Sequence, residues 1–201
     1  VLNASGQAIW SSGSTNDVGV ILGPDGNPLP SEFFEVDPAT GKQLYEPHYD
    51  TIVAPNQVQI YQELATNPEG IFTTSFVSLL TKVKDNRFLP KGWTNTGPVG
   101  MDPEHIAETR PTGLAASDPN FGAGGDKIHY KIQLPRGQRA KSVIATLYYQ
   151  AIPPSYLKDR FLTAKGKDGK RLYYLASNLE TEGTNIENWK LKISGQKRLV
   201  R

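Results

Sequence analysis

The chain has 201 residues, which is long enough for one folded domain with an apolar core, and its net charge of +2 does not indicate a nucleic-acid or anionic-membrane partner. Its 19 glycines and 15 prolines are typical of short strands joined by turns. Because cysteine is absent, the sequence excludes disulfides, thiolate metal sites and covalent attachment of a c-type haem to this chain.

The N-terminal segment predicts a strand, a turn and a second strand. Asn3 to Gly6 has turn chemistry and Ala8 to Trp10 is a short strand, which leaves only Val1 and Leu2 for the partner. We therefore expect the chain to be a fragment of a longer polypeptide. No apolar run approaches the ~20 residues needed to cross a bilayer, so we expect no transmembrane segment.

Further strands follow along the chain. Alternating apolar residues predict strands at 57–64, 127–134 and 189–193. The segment 73–84 has apolar spacing that also suits a helix, but its β-branched residues and the neighbouring turns favour an extended chain. The segment 142–150 is apolar on both faces, which predicts a central sandwich strand with Leu147 in the core, and Ile132 is a second predicted core residue.

Two short helices are predicted near the C-terminus. One runs from Ser155 to Leu162, and the other contains apolar residues at helical spacing between Leu172 and Leu179. Residues 94–126 form a long loop, which in a compact domain is either functional or packed over a sheet. These elements predict a mainly β protein: an antiparallel β-sandwich with long loops. We expect a single domain over residues 1–201, with a helical and loop appendage at 153–185.

Three sets of residues are candidate sites. His48 lies in a Pro-flanked segment and could ligate haem iron or another metal, although a lone histidine is also often a structural hydrogen-bonding residue. Carboxylate and amide oxygens in the long loop could hold calcium, or they could be solvated. A polar corner follows the 73–84 segment, either as a ligand-holding cluster or as a structural turn with an ion pair. The calcium candidates are Asp118, Asn120 and Asp126, and the corner is Asp85, Asn86 and Arg87.

Four segments resemble the C-terminal β-rich region of large secreted multihaem c-type cytochromes. They are AIWSSGSTNDVGVI (8–21), YEPHYDTIVAPNQVQIYQEL (45–64), TTSFVSLLTKVKDNRFLPKGW (73–93) and SVIATLYYQAIPPSYL (142–157). The resemblance implies that haem c belongs to a parent protein, and that this chain lacks the haem-binding half. It also implies a periplasmic or extracellular location and a partner that is a haem-bearing polypeptide or domain, with other redox proteins as further partners.

We therefore expect a non-enzymatic structural or docking domain of such a cytochrome, which serves electron transfer by the parent. The alternative is a stand-alone extracellular binding module for carbohydrate or protein, with exposed aromatics as its platform. A hydrolase that uses Asp102 and Asp118 is a third interpretation, but the sequence has no nucleophile elbow and no zinc-ligand spacing. The candidate platform residues are Tyr45, Tyr49, Trp93 and Phe121.

Overall fold

The computed structural model describes residues 1–163 and 166–200, and the chain divides into two compact units. Unit 1 comprises Val1–Tyr45, Ala54–Asn56 and Ile132–Arg201, and unit 2 comprises Glu46–Val53 and Gln57–Lys131. The prediction of a single domain is not tested by this division, because two compact units can belong to one domain.

Unit 2 contains five short strands in two small sheets. Strands β2 (Glu63–Thr66), β3 (Phe72–Thr73) and β4 (Thr81–Asp85) form an antiparallel sheet in the order β3-β2-β4. Strands β1 (Thr51–Ile52) and β5 (His129–Tyr130) pair in parallel. Asn67 stabilises the turn between β2 and β3, because its side-chain oxygen accepts hydrogen bonds from the backbone N–H groups of Glu69 and Ile71.

Residues of the long predicted loop, 94–126, contribute to the apolar core of unit 2. Leu89, Ala115 and Phe121 form its buried cluster, and Tyr61 and Trp93 pack against it. The loop itself contains two 3₁₀ helices, Pro103–Thr109 and Gly113–Ser117. The loop is thus ordered by local helical turns and by its contribution to the core.

Gly113 sets the approach of the second 3₁₀ helix to β4. It has a φ of +74°, and an added Cβ would lie 2.9 Å from the backbone carbonyl oxygen of Val83. We expect Gly113→Ala to lower the free energy of unfolding by about 1 kcal/mol or more beyond the cost of Gly70→Ala. Gly70 is the matched control, because its φ is +77° but its Cβ would meet open space. Urea denaturation of both variants measures the difference, and equal costs would mean that the close approach to Val83 is unimportant.

Unit 1 is organised around a two-stranded antiparallel ribbon. Strand β6 (Ser142–Tyr149) pairs with β7 (Leu191–Leu199), with a register shift after Leu147. Two helices, α1 (Pro154–Thr163) and α2 (Lys167–Ser177), lie between these strands in the chain. Short 3₁₀ helices occur at Pro30–Phe33 and Glu187–Trp189.

The structure is a mixture of short strands and helices, and among the described residues it shows no sandwich. Its seven strands there belong to three separate small sheets. The prediction of a central strand at 142–150 is wrong, because β6 pairs with β7 alone in its sheet and Leu147 is 41% exposed. Apolar residues on both faces indicate a strand but not what covers it. Ile132, the other predicted core residue, is only partly buried.

Local signals predicted the C-terminal helices well. The helix predicted from Ser155 to Leu162 lies within α1, and Leu172, Leu175 and Ala176 lie within α2, whereas Leu179 lies beyond its C-cap, Asn178. The predicted strand at 57–64 is found only as β2 at its end, and that at 127–134 only as β5. Residues 164, 165 and 201, which the predicted appendage and domain include, lie outside the described residues. No helix in the described ranges has the length and apolar character to cross a membrane.

Candidate functional site

Three consecutive polar residues at the end of β4 are buried in unit 2. Lys84 is 1% exposed, Asp85 4% and Asn86 0%. A buried polar group without a partner costs about 1–3 kcal/mol, so each of these side chains requires hydrogen bonds. The partners of Lys84 and Asn86 come from segments distant in the sequence, and they form one polar cluster around His48.

Asn86 joins two of these segments. Its side-chain oxygen accepts the backbone N–H of Gln62 at 2.9 Å, and its amide nitrogen donates to the backbone carbonyl of Ile60 at 3.0 Å. Because backbone groups have fixed donor and acceptor roles, these bonds determine which end of the amide carries the oxygen. The amide nitrogen also lies 3.2 Å from Nδ1 of His48, and it faces that ring atom as a donor.

Gln59 presents a second donor to the same ring nitrogen. Its Oε1 accepts the backbone N–H of Tyr49 at 2.8 Å, which leaves Nε2 as the atom 2.8 Å from Nδ1 of His48. Since Nδ1 faces two amide donors, it must act as an acceptor, and the ring proton lies on Nε2. That Nε2–H donates to Oδ2 of Asp118 at 3.0 Å.

The His48–Asp118 pair is enclosed. The two side chains are 1% and 3% exposed, and the His48 ring packs edge-on against Phe121 with centroids 5.1 Å apart. Burial alone would raise the pKa of Asp118, but hydrogen bonds from the Asn120 backbone and from His48 hold that pKa below its usual value. The pair is therefore a carboxylate that accepts from an imidazole of fixed tautomer.

This tautomer can be measured. We expect the ¹⁵N spectrum of the imidazole rings at neutral pH to show His48 as the Nε2–H form, with an unprotonated Nδ1. His105 supplies the control, because its ring is exposed and is not held in one tautomer by buried hydrogen-bond partners. An Nδ1–H signal for His48 would contradict the amide orientations of Gln59 and Asn86.

Lys84 is buried beside the same segment. Its Nζ donates to the backbone carbonyls of Glu46 at 2.8 Å and Ile60 at 2.7 Å, which match the two N–H bonds of a neutral amine. Burial lowers the pKa of Lys84 to about 7, although the Glu46 charge opposes this shift. At alkaline pH, Lys84 is thus a neutral hydrogen-bond donor inside unit 2.

Two tyrosines complete the cluster by donating to carboxylates. Tyr49 donates its hydroxyl to Glu46 at 3.0 Å, and Tyr61 donates to Asp126 at 2.7 Å. Burial raises the pKa of both tyrosines, and the neighbouring carboxylates raise it further. The same Glu46 oxygen accepts the backbone N–H of Val58, so it also holds two chain segments together.

A candidate metal-ligand set lies within the cluster. His48, Asp118 and Asp126 each offer one ligand atom, and these atoms lie within 4.8 Å of one another. Asn120, the third predicted calcium ligand, is an exposed residue whose backbone N–H bonds to Asp118. One nitrogen and two carboxylates suit a transition metal better than Ca²⁺, which prefers oxygen ligands.

The hydrogen bonds of His48 do not fit a metal ligand. A metal-bound imidazole normally donates its second N–H to an acceptor, whereas the second nitrogen of His48 faces the amide donors of Gln59 and Asn86. A metal or haem iron at Nε2 would require an imidazolate or the rotation of both amides, each of which a backbone N–H holds in place. The amide donors that face Nδ1 of His48 therefore favour a hydrogen-bonded cluster over a metal site. Haem or calcium binding by these residues stays a prediction.

The polar corner has the geometry of the structural interpretation. Arg87 donates to both carboxylate oxygens of Asp85, at 2.9 and 2.7 Å, and also contacts Glu63 at 2.8 Å. Burial alone would raise the pKa of Asp85, but Arg87 outweighs it and the pKa lies below its usual value. Arg87 is half exposed, so the corner is a partly solvated ion pair at the end of β4.

A pocket of about 460 Å³ is lined by one member of the polar cluster, Asp118, and by Phe121, which packs against the His48 ring. Arg110 lines this pocket, and one of its guanidinium nitrogens donates to the backbone carbonyls of Asn95 and Pro103. Its Nε is buried and has no hydrogen-bond partner among the residues that the structure describes. The lining residues are Leu89, Trp93, Asn95, Arg110, Pro111, Ala115, Ala116, Asp118, Phe121 and Gly122.

The structure brings together only part of the predicted sites. Trp93 and Phe121 line the pocket, whereas the hydroxyl of Tyr49 is bonded to Glu46, and Tyr45 belongs to unit 1. Asp102, the other acid of the hydrolase interpretation, caps the Pro103–Thr109 helix by accepting the Glu104 N–H. That role is structural and leaves Asp118 as the only member of the pair in the pocket lining.

Sequence reasoning missed several residues of the cluster and pocket. Glu46, Gln59, Tyr61 and Arg110 are not marked by any local pattern, because their partners lie in other segments. The run from Lys84 to Arg87 was the available signal, because four polar residues directly after an apolar stretch must find partners.

Comparison of the chain with protein-family models, with curated proteins and with solved structures gives no match. The resemblance to multihaem cytochromes is therefore a prediction that no relative supports.

Proposed function

We propose that the chain is a non-enzymatic docking domain of a multihaem c-type cytochrome, and that the haem-bearing polypeptide covers the apolar surface of unit 1. The observation that carries this proposal is the amount of apolar surface left exposed there. Within the described part of unit 1, the buried apolar side chains are Val20 and Leu29. A unit of this length needs a larger core to offset its conformational entropy.

The exposed apolar side chains lie on regular elements. On the ribbon, Val143, Ile144 and Leu147 are exposed, and on α2 the exposed residues include Tyr173 and Leu175. Contiguous apolar patches on a protein surface usually mark sites of protein–protein contact. We infer that a partner covers this surface in the working protein, as the resemblance implies.

The charge of the ribbon favours an anionic partner. The strands β6 and β7 and the residues that flank them carry basic side chains and no acidic ones between 136 and 153 or between 188 and 200. Haem propionates are anionic groups at the edge of a haem, and such a surface complements the ribbon. The basic residues are Arg136, Arg139, Lys141, Lys190, Lys192, Lys197 and Arg198.

Unit 2 supports a structural role for the domain. Its buried cluster uses His48, Asp118 and Lys84 in hydrogen bonds that join segments distant in the sequence. In a docking domain, such a network holds the chain in one conformation.

A denaturing gel of the native source tests the proposal. We expect an antibody against this chain to detect a polypeptide heavier than 22.1 kDa that also stains for covalent haem. The coding frame should then contain Cys-x-x-Cys-His attachment motifs outside the present sequence. A haem-free band, or a frame without these motifs, would overturn the proposed parent.

A second candidate function is suggested by the pocket of unit 2. Its aromatic wall, formed by Trp93 and Phe121, and its polar groups, Asp118 and Arg110, suit a small hydroxylated ligand such as a saccharide ring. In that case the chain is a binding module, and Asp118 and Arg110 supply the polar part of the pocket lining.

A glycan array tests the binding-module function. We expect a bound saccharide to lose at least about tenfold in affinity in Trp93→Ala, because stacking on the indole ring is lost. Phe76→Ala is the matched control, since Phe76 is 90% exposed and does not line the pocket. An array on which the unmodified chain binds no glycan would remove this candidate.

A further inference from the structure

The outer edge of β6 is open. Its ladder partner is β7, and on the other side the described residues form a single bridge, from Leu2 to Ser142. Beyond that bridge, the segment from Val143 to Tyr149 makes no other backbone hydrogen bonds within residues 1–163 and 166–200. Half of the N–H and C=O groups of a strand point to each side, so this edge presents a row of unpaired groups.

The open edge of β6 also lacks the usual protection. The sequence from Val143 to Tyr149 is VIATLYY, which has no charge, no proline and no glycine. Natural edge strands are commonly protected by lysine, and uncharged β-branched and aromatic strands of this length associate readily. The other strand of the ribbon differs, because β7 carries Lys192, Lys197 and Arg198. A strand added to the ribbon is therefore expected at β6.

The sequence of β6 is complementary to itself in antiparallel orientation. If Thr146 lies opposite its own copy, Ala145 lies opposite Leu147 and Ile144 opposite Tyr148. Val143 then lies opposite Tyr149. The last two pairs join a β-branched residue to an aromatic one, which is a stabilising cross-strand combination, and no pair is charged.

This register also keeps the ribbon faces and charges compatible. Each of its pairs joins two even or two odd positions, so each face of one copy continues into the same face of the other. The basic β7 strands become the outer strands, roughly 14 Å apart, where salt screens their repulsion.

We propose that two copies of the chain pair through the open edges of β6, antiparallel about a two-fold axis at Thr146, to form a four-stranded sheet in the order β7-β6-β6-β7. This inference does not depend on the cytochrome parent, because it concerns the strand edge and not the apolar faces. The interface is isologous, as in most closed dimers.

A single introduced cysteine tests the register. The chain has no cysteine, so Thr146→Cys can form a disulfide only with another copy. Residues directly opposite in an antiparallel pair have Cα atoms about 4.5–5.5 Å apart, which falls in the range that a disulfide spans. We expect Thr146→Cys to give a covalent dimer on a non-reducing gel under mild oxidation. Ser194→Cys, on the exposed part of β7, is the matched control and should stay largely monomeric.

Sedimentation of the unmodified chain supplies a second, independent readout. We expect a concentration-dependent monomer–dimer equilibrium, and Ala145→Lys should shift it to monomer with an unchanged circular dichroism spectrum. Gln196→Lys adds the same charge on β7, directly opposite Ala145, and should leave the dimer intact. A monomer at all protein concentrations, or equal cross-linking of Thr146→Cys and Ser194→Cys, would overturn the proposal.

Discussion

Replacement of Asn86 by alanine is expected to lower the free energy of unfolding by about 2–4 kcal/mol. Asn86 is 0% exposed, and its amide bonds to the backbone of both Gln62 and Ile60 as well as to His48. Removal of the amide leaves a backbone N–H without its acceptor and takes one donor from the His48 ring. It also leaves a cavity in close-packed surroundings.

Urea denaturation followed by tryptophan fluorescence measures this effect. Asn56→Ala is a suitable control, because Asn56 is exposed and its replacement should change the stability by less than about 0.5 kcal/mol. The ¹⁵N signals of His48 should also change in Asn86→Ala, since Nδ1 loses one of its two donors. If Asn86→Ala and Asn56→Ala had equal free energies of unfolding, the buried cluster would contribute little to the stability of unit 2.

Stability is expected to rise by a few kcal/mol between about pH 7 and pH 10, and Lys84 is the main cause. Burial lowers the pKa of Lys84 from 10.5 in the unfolded chain to about 7 in the folded one. Between these values the unfolded chain binds a proton that the folded chain does not, so unfolding becomes harder as the pH rises. As the pH falls through the folded pKa, this contribution is lost.

Urea denaturation between about pH 7 and pH 9.5 isolates Lys84 from the tyrosines. The raised pKa values of Tyr49 and Tyr61 act only above about pH 10, where stability falls because the unfolded tyrosines ionise first. Lys84→Met should flatten the rise, because it removes the titrating group. Lys127→Met, at an exposed position, should leave the rise unchanged. The same pH dependence in Lys84→Met and in the unmodified chain would contradict a buried neutral lysine.

Elements with local signals could be predicted from the sequence. The turn at Asn67 and the helix α1 follow from residues within a few positions of one another, and both are present. The extended interpretation of 73–84 is also confirmed at its ends, by β3 and β4, because β-branched residues there outweigh the helical spacing.

The candidate site could be predicted only in part, because its contacts are long-range. His48 and the Asp85–Arg87 corner were visible as unusual residues, but the bonds of His48 to Asn86 and Asp118 span 38 and 70 residues. No local pattern contains such pairs. The error at β6 has a different cause, since an apolar strand looks the same in sequence whether or not its own unit covers it.

The separation of these contacts along the chain has a kinetic consequence. The bonds from His48 to Asp118 and from Tyr61 to Asp126 close loops of 70 and 65 residues, so the entropy of loop closure must be overcome before they form. Folding slows as contacts become less local, and we expect unit 2 to complete its polar network late, after the β2–β4 sheet. Until residues 118–126 arrive, the Nε2–H of His48 has no carboxylate partner. The last step of folding is then the one that buries the His48 ring and removes it from contact with water.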